Sequence, residues 1–334
     1  MSNTAGSMAV TNLEEAETSD LSLRSNDTLG DRHIWSRLWF PHFASCPGHS
    51  KVVNLLGENA EVSVVGRTAF MVAAERALEA ERKDALFEDP FAKALSGSDG
   101  LTMSDRLGEA ASQFGFDGWP EFHKVWTVVR TKFIDDLISR DTAEIPQMVN
   151  LGAGVDTRPY RLDAYKQFKA SYEVDTAEVN AVKTAFFSHN RATSLCPVVN
   201  VSADFCQAGM LSEKLTEAGF DSQASAVFLI EGVLDFLEEQ AEPFLTEVLG
   251  PLAAPGSLAI INYAIGPQRP GTFTSTKLKQ LLEGLGWQNL QISVFGDERL
   301  NYGRYKEGLA PSEDWAFATC VKGAVGPTPE AQEQ

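Results

Sequence analysis

Met148-Val149-Asn150-Leu151-Gly152-Ala153-Gly154-Val155-Asp156-Thr157-Arg158 carries an apolar run into two glycines one residue apart, then into a polar, helix-compatible segment. A buried parallel strand that turns sharply into a helix beneath a nucleotide-like ligand reads this way. Glycine suits the bend because the backbone turns tightly there and the ligand approaches it closely. Downstream, Tyr172-Glu173-Val174-Asp175 reads as a second strand ending in an acid, and Asp175 stands 21 residues past Gly154. A carboxylate at that place accepts both hydroxyls of a ribose. The combination predicts a nucleoside-type cofactor; an ordinary strand-to-helix turn is the competing reading.

The third position of the glycine pattern separates cofactors. A dinucleotide fold places Gly or Ala three residues after the second glycine, so that the helix packs closely under a pyrophosphate. Here that residue is Thr157, followed by Arg158 and Pro159. The turn therefore suits an adenosyl group without phosphates, as in S-adenosylmethionine, better than NAD.

Around this stretch the chain alternates. Strands are expected at 147–151, 170–175, 197–201, 226–231, 257–263, 289–295 and 315–322, with helices near 159–168, 177–189, 208–218, 238–250 and 275–285. Alternation of this kind implies a mostly parallel sheet covered on both faces. The long non-helical stretch 296–312 fits a closing antiparallel hairpin better than another crossover. The expected fold is α/β: a seven-stranded, mostly parallel, Rossmann-like sheet of the methyltransferase type over 146–325. Before it, Ala69-Phe70, Ala73-Ala74 and Ala77-Leu78 recur at helical spacing, and Val125, Val128, Val129, Phe133, Leu137 and Ile138 form a second stripe. Residues 61–145 thus read as a helical cap, with a Gly/Ser/Asp loop at 96–100. Residues 1–30 and 326–334 read as disordered tails. Residues 31–60, with Trp35, Trp39, Phe40 and Phe43, read as an aromatic arm that packs on the domain or covers the pocket as a lid.

Composition narrows the function classes. The 334 residues carry 43% hydrophobic and 10% aromatic side chains, enough for a full core, and a formal charge of −18 that argues against a nucleic-acid or anionic-membrane partner. Cys46, Cys196, Cys206 and Cys320 form no C-x-x-C pair, and His33, His42 and His49 are irregularly spaced, so no metal site and no disulfide framework is expected. No apolar N-terminal segment or membrane-length run is visible, and a cytoplasmic location is the expectation.

In an open α/β sheet, ligands bind beyond the carboxyl ends of the strands. The candidates there are Gly152, Ala153, Gly154 and Asp156 after the first strand, Glu173 and Asp175 at the second, Ala203, Asp204 and Phe205 after the third, and Glu231 after the fourth. Asp204 can accept an adenine amine while Phe205 lies on the base. Glu231 can take the ammonium of a methionyl group. Each strand-end acid can instead cap the following helix.

At these residues the chain resembles the leucine carboxyl methyltransferase superfamily. Gly152-Ala153-Gly154-Val155-Asp156-Thr157 with Arg161, and Tyr172-Glu173-Val174-Asp175, carry the likeness. The stretches Glu75–Glu79 and Phe87–Ala92 resemble the helical segment of the bacterial branch, Val129–Asp136 resembles the helix before the glycine strand, and the helical cap and Glu298–Tyr305 look more like the polyketide-type small-molecule branch than like the protein phosphatase methylase. The resemblance implies that Gly152 and Asp175 hold the cofactor backbone and ribose, Asp204 and Phe205 the adenine, Arg130 its carboxylate and Glu231 its amino group. Read without the resemblance, Arg130 is a solvated arginine on an amphipathic helix. Arg67 stands near a second basic position of the phosphatase methylase.

Methyl transfer from a sulfonium needs alignment and exclusion of water, and the donor brings its own leaving group. A carboxylate acceptor, with an ordinary pKa of about 4, needs no base; a phenol, at about 10, wants one such as a histidine. The expected activity is O-methylation of a small-molecule carboxylate. The alternatives are a hydroxyl acceptor, a protein C-terminal carboxylate, an NAD-linked oxidoreductase or a non-catalytic binding protein. Tyr263, Arg269, Tyr302 and Arg304 are the candidates for positioning the acceptor. The oligomeric state is not legible.

Overall fold

The computed structural model describes residues 64–113, 118–205, 209–265, 272–309 and 315–324. The expected tails, the aromatic arm and Arg269 lie outside the described residues, as does the side chain of Arg67.

Among the described residues three helices precede the sheet: α1 (Val64–Ala80), α2 (Ala92–Gln113) and α3 (Trp119–Asp141). The loop expected at 96–100 is instead part of α2, which kinks where Gly97 adopts φ 56°, ψ −161°. Glycine absorbs that turn without a Cβ penalty, so the polar run bends the helix instead of ending it. In α3, Pro120 sits in the first turn, where its missing N–H costs nothing. One face of α3 buries Phe122, Trp126, Val129 and Phe133, and its three aromatic rings pack on Phe295, Trp315 and Phe317 with centroids 5.0–6.0 Å apart.

The sheet then forms from β1 (Gln147–Leu151), β2 (Ala170–Asp175), β3 (Val198–Ser202), β4 (Ala226–Ile230), β5 (Leu258–Ala264), β6 (Trp287–Val294) and β7 (Trp315–Lys322), in spatial order β3-β2-β1-β4-β5-β7-β6. Strands β1 to β5 pair in parallel. β7 lies antiparallel to both β5 and β6, so it alone runs backwards and the expected closing hairpin threads between β5 and β6. All residues of β1, β4 and β5 are buried, as expected for strands covered on both faces.

Between the strands lie α4 (Arg158–Arg161), α5 (Ala177–His189), α6 (Leu211–Glu217), α7 (Leu234–Leu237), α8 (Ala241–Leu249) and α9 (Ser275–Gly284). The helix expected at 159–168 is broken: Leu162 is extended at ψ 110°, and a 3₁₀ turn (Asp163–Gln167) follows. Thr176 caps α5 by accepting the N–H of Val179, and Thr274 caps α9 by accepting that of Lys277. The strand order reverses between β1 and β4, which opens a crevice at their carboxyl ends. No described helix is long and apolar enough to cross a membrane.

Candidate functional site

The glycine bend leaves β1 at this crevice and is tied to β2. Gly152 (φ +73°) and Ala153 donate their N–H groups to the Val174 carbonyl at 2.8 and 3.1 Å. Gly154 (φ +48°) donates to Asp175 Oδ2 at 2.7 Å, while the N–H of Thr176 donates to Oδ1 at 2.7 Å. A Cβ on Gly152 would lie 2.4 Å from Val233 Cγ2, and one on Gly154 would lie 3.1 Å from Ala69 Cβ of α1. Backbone angle and close approach both demand glycine here. Phe205 reaches the same bend, 3.9 Å from that hypothetical Gly152 Cβ, and rests on Phe244 at 5.0 Å. Burial pushes the Asp175 carboxyl above its ordinary pKa, although the two N–H donors oppose it. Each oxygen keeps a lone-pair site for a further donor, so the carboxylate can accept a diol.

Beneath the bend lies an ionic layer. Glu231 sits between Arg130 Nε at 2.9 Å and Arg158 Nη1 at 3.0 Å. Arg158 also holds Asp156 at 2.8 Å and Asp135 at 2.7 Å. Arg161 continues the chain to Asp135 at 2.7 Å and donates to Thr157 Oγ1 at 3.0 Å. Thr157 in turn donates to Asp89 at 2.7 Å, and Arg76 binds Asp89 at 2.9 Å and the Val155 carbonyl at 3.0 Å. Burial alone would raise the Asp156 pKa; Arg158, Lys183, the Arg158 N–H and Arg76 together outweigh it and hold the carboxyl well below the usual range. Burial would lower that of Arg158, but Asp156, Glu231 and Asp135 keep it charged. Thr157, which argued against a pyrophosphate, thus has a direct structural task.

The contact of Arg130 with Glu231 is close but not aligned: Arg130 Nε, though buried, has no hydrogen-bond partner among the described residues. Beside it, Gly232 has φ +65°, and among the described residues a Cβ built there would meet only Arg130 Nη1, at 3.8 Å. The end of β4 therefore presents a cradle faced by a guanidinium and a carboxylate.

Gly152, Ala153, Gly154, Asp175, Phe205, Arg130 and Glu231 lie along the carboxyl edge of the sheet, and Asp204 is exposed at the end of β3. Three other expectations are corrected. Glu173 is turned inward, 2.8 Å from the buried Lys183, and is not available to a ligand. Arg304 is committed to Glu79 at 2.7 Å and Asp84 at 3.1 Å, at the opposite end of α1 from Ala69. Tyr302 donates to Asp136 at 3.0 Å, in the last two turns of α3, the end that leads into the start of β1 and away from its carboxyl end. Both residues brace the β6–β7 connection against the cap. Tyr263 is on β5 near the crevice, but it is fully buried and its hydroxyl lies 3.2 Å from Ser275 Oγ.

The sequence reading missed a second polar cluster in the cap. His123 Nδ1 lies 2.9 Å from both Glu75 oxygens, and Thr127 donates to Glu75 Oε2 at 2.6 Å. Its members are far apart in sequence; only the i, i+4, i+7 spacing of His123, Thr127 and Arg130 on one helix hinted at a polar stripe. Among the described residues no group of three or more His, Cys, Asp or Glu side chains is placed to hold a metal.

The seven-stranded sheet, parallel but for its reversed β7, is that of the class of S-adenosylmethionine-dependent methyltransferases. A protein from Frankia alni, provisionally named as such a methyltransferase, is 32% identical over 260 residues, covering 73% of this chain and 89% of its own. A Streptomyces coelicolor protein with the same provisional name is 32% identical over 278 residues, covering 75% and 93%. A solved structure of a DUF574 family protein from Streptomyces avermitilis shares the fold, with TM-score 0.50 and 17% identity over 75% of this chain and 96% of its own. The profile of the leucine carboxyl methyltransferase family matches residues 69–249, and the chain belongs to that family. It is an S-adenosylmethionine-dependent methyltransferase.

The residues present fit the cofactor. Arg130 Nε and the open Gly232 face offer donors and space to an amino-acid end, and Asp175 offers two acceptor oxygens to a sugar.

Proposed function

We propose that the chain transfers a methyl group to an oxygen of a small-molecule acceptor, and that the carboxyl edge of the sheet holds the donor in one extended pose. In this reading Asp175 accepts the ribose hydroxyls, while Gly152, Ala153 and Gly154 let the main chain pass beneath the sugar. Phe205 packs on the adenine and Asp204 accepts its amine. Glu231 takes the ammonium and Arg130 the carboxylate of the methionyl end. The bound sulfonium supplies an activated methyl group with its own leaving group. The residues of the chain then have to orient the two reactants and exclude water.

The observation that carries this reading is the separation of the two anchoring groups. Asp175 ends β2 beside the glycine bend, and the Arg130–Glu231 pair closes β4 across the crevice. One acid thus serves a neutral diol, and one ion pair serves a zwitterion. The resemblance implies a carboxylate acceptor, which arrives ionised and asks for no base. A hydroxyl acceptor has one specific observation in its favour, the Glu75–His123 pair. Calorimetry with S-adenosylhomocysteine tests the assigned cofactor site: micromolar binding that falls on substitution of Asp175 or Glu231 is expected. Binding indifferent to both substitutions would remove the assignment.

A further inference from the structure

The cap holds a buried acid–histidine pair that the cofactor site does not use. Glu75 of α1 is 2% exposed, and among the described residues no arginine or lysine lies within ion-pair distance of it. Both its oxygens face His123 Nδ1 at 2.9 Å, and Thr127 Oγ1 donates to one of them at 2.6 Å. An ionised carboxylate only accepts hydrogen bonds, so this contact assigns the ring proton to Nδ1. Whenever the ring is neutral, its lone pair is then on Nε2. No partner of that atom lies among the described residues, and the His123 side chain keeps 9% of its surface. Trp119 stacks on the imidazole at 4.7 Å and 22°, and Glu75 grips one edge, so the ring direction is fixed from two sides.

The pair is also well placed. His123, Thr127 and Arg130 follow one another at i, i+4 and i+7 on α3, so they share a face. His123 therefore lies two turns, about 10 Å, along that face from Arg130. If Arg130 holds the methionyl end of the donor, a small acceptor placed against the sulfonium has His123 within its length.

We infer that His123 is the base that takes the proton of a hydroxyl acceptor in this enzyme, with Glu75 and Thr127 as its positioning residues. The inference rests on the methyl-transfer reading above and narrows its acceptor from any oxygen to a phenol or enol. In the step, the acceptor O–H bond breaks and its proton passes to Nε2. The freed oxygen pair forms the O–CH₃ bond, and the S–CH₃ pair stays on sulfur as a neutral thioether. The imidazolium that results faces Glu75, a buried carboxylate that gains a counter-charge in that moment. The ring then returns its proton to water. A carboxylate acceptor would leave this arrangement without a task.

The test uses the full chain with isotope-labelled histidine, saturated with S-adenosylhomocysteine, and probes phenol and benzoate in turn by nitrogen NMR. The expected result is a protonated Nδ1, an unprotonated Nε2, and an Nε2 resonance that moves with phenol but not with benzoate. Glu75→Gln should remove the single-tautomer signature. In turnover, His123→Gln should lower the rate on a phenol by about 100-fold or more, the usual span for a general base. It should leave the S-adenosylhomocysteine Kd within about twofold, and a nitrophenol already ionised in the assay should recover most of the rate. An Nε2 that ignores phenol, that responds to benzoate alone, or that is protonated in the resting complex overturns the inference. Failure of S-adenosylhomocysteine to bind the wild-type chain would instead overturn the functional reading itself.

Discussion

Asp175→Asn isolates the contact on which the cofactor reading turns. In the native site both carboxylate oxygens accept backbone N–H groups, from Gly154 and Thr176, at 2.7 Å each. An asparagine keeps the shape but offers one oxygen, so one N–H loses its acceptor and one ribose hydroxyl meets an amide donor. Hydrogen bonds to a charged group are worth about 1.5–3 kcal/mol. Loss of one such bond to the sugar corresponds to about 10- to 150-fold weaker binding of S-adenosylhomocysteine. The fold should suffer less than the affinity. Burial raises the Asp175 pKa, so neutralising the group relieves part of a desolvation cost while the lost N–H contact adds one. Calorimetric titration of wild-type and variant at equal salt, with thermal unfolding of both, reads the two effects apart. A variant that folds normally and binds within twofold of wild-type would show that the ribose is held elsewhere.

The other expectations concern the bend, the ionic layer and the brace. Gly152→Ala forces a β-branched neighbour away from a 2.4 Å contact and puts a Cβ at φ +73°, so it should cost about 1–3 kcal/mol and lower the unfolding midpoint; Val233→Ala in the same chain should return part of the loss, as thermal melts will show. Asp156 is held ionised below its unfolded pKa of about 3.9, so its contribution to stability is complete above that value and is lost as pH falls through the folded one. Asp156→Asn should therefore flatten the acid limb of the stability profile below about pH 4, measured by denaturant unfolding at stepped pH. Arg304→Gln should destabilise the fold by about 1–3 kcal/mol, because it leaves the buried Glu79 with only the half-exposed Arg82 at 3.5 Å and the Leu86 N–H at 2.9 Å, yet leave S-adenosylhomocysteine affinity unchanged in the same calorimetric assay.

Much of this was legible in the sequence because parallel strands buried on both faces read as short apolar runs. β1, β2 and β7 fall on the expected residues, and the glycine bend and Asp175 occupy the expected places. Element edges shifted where local backbone chemistry intervened: Gly97 bends α2 without ending it, and Leu162 splits the helix expected after Pro159. The ionic layer was not legible. Asp135, Arg158 and Glu231 come from three distant segments, and nothing local distinguishes Asp135 from its solvated neighbour Asp136. Loop position also misled. Tyr302 and Arg304 follow a strand that ends at the crevice, but the connection folds back onto α1 and α3, where acids await them. The His123 pair escaped notice because its acid lies 48 residues away on another helix.

A crystal structure with S-adenosylhomocysteine tests the central claim most directly. The account predicts the ribose above Gly152 with both hydroxyls within hydrogen-bond distance of Asp175, and the amino-acid end between Arg130 and Glu231. A ligand whose sugar lies away from Asp175, or whose amino-acid end does not touch the Arg130–Glu231 pair, contradicts it.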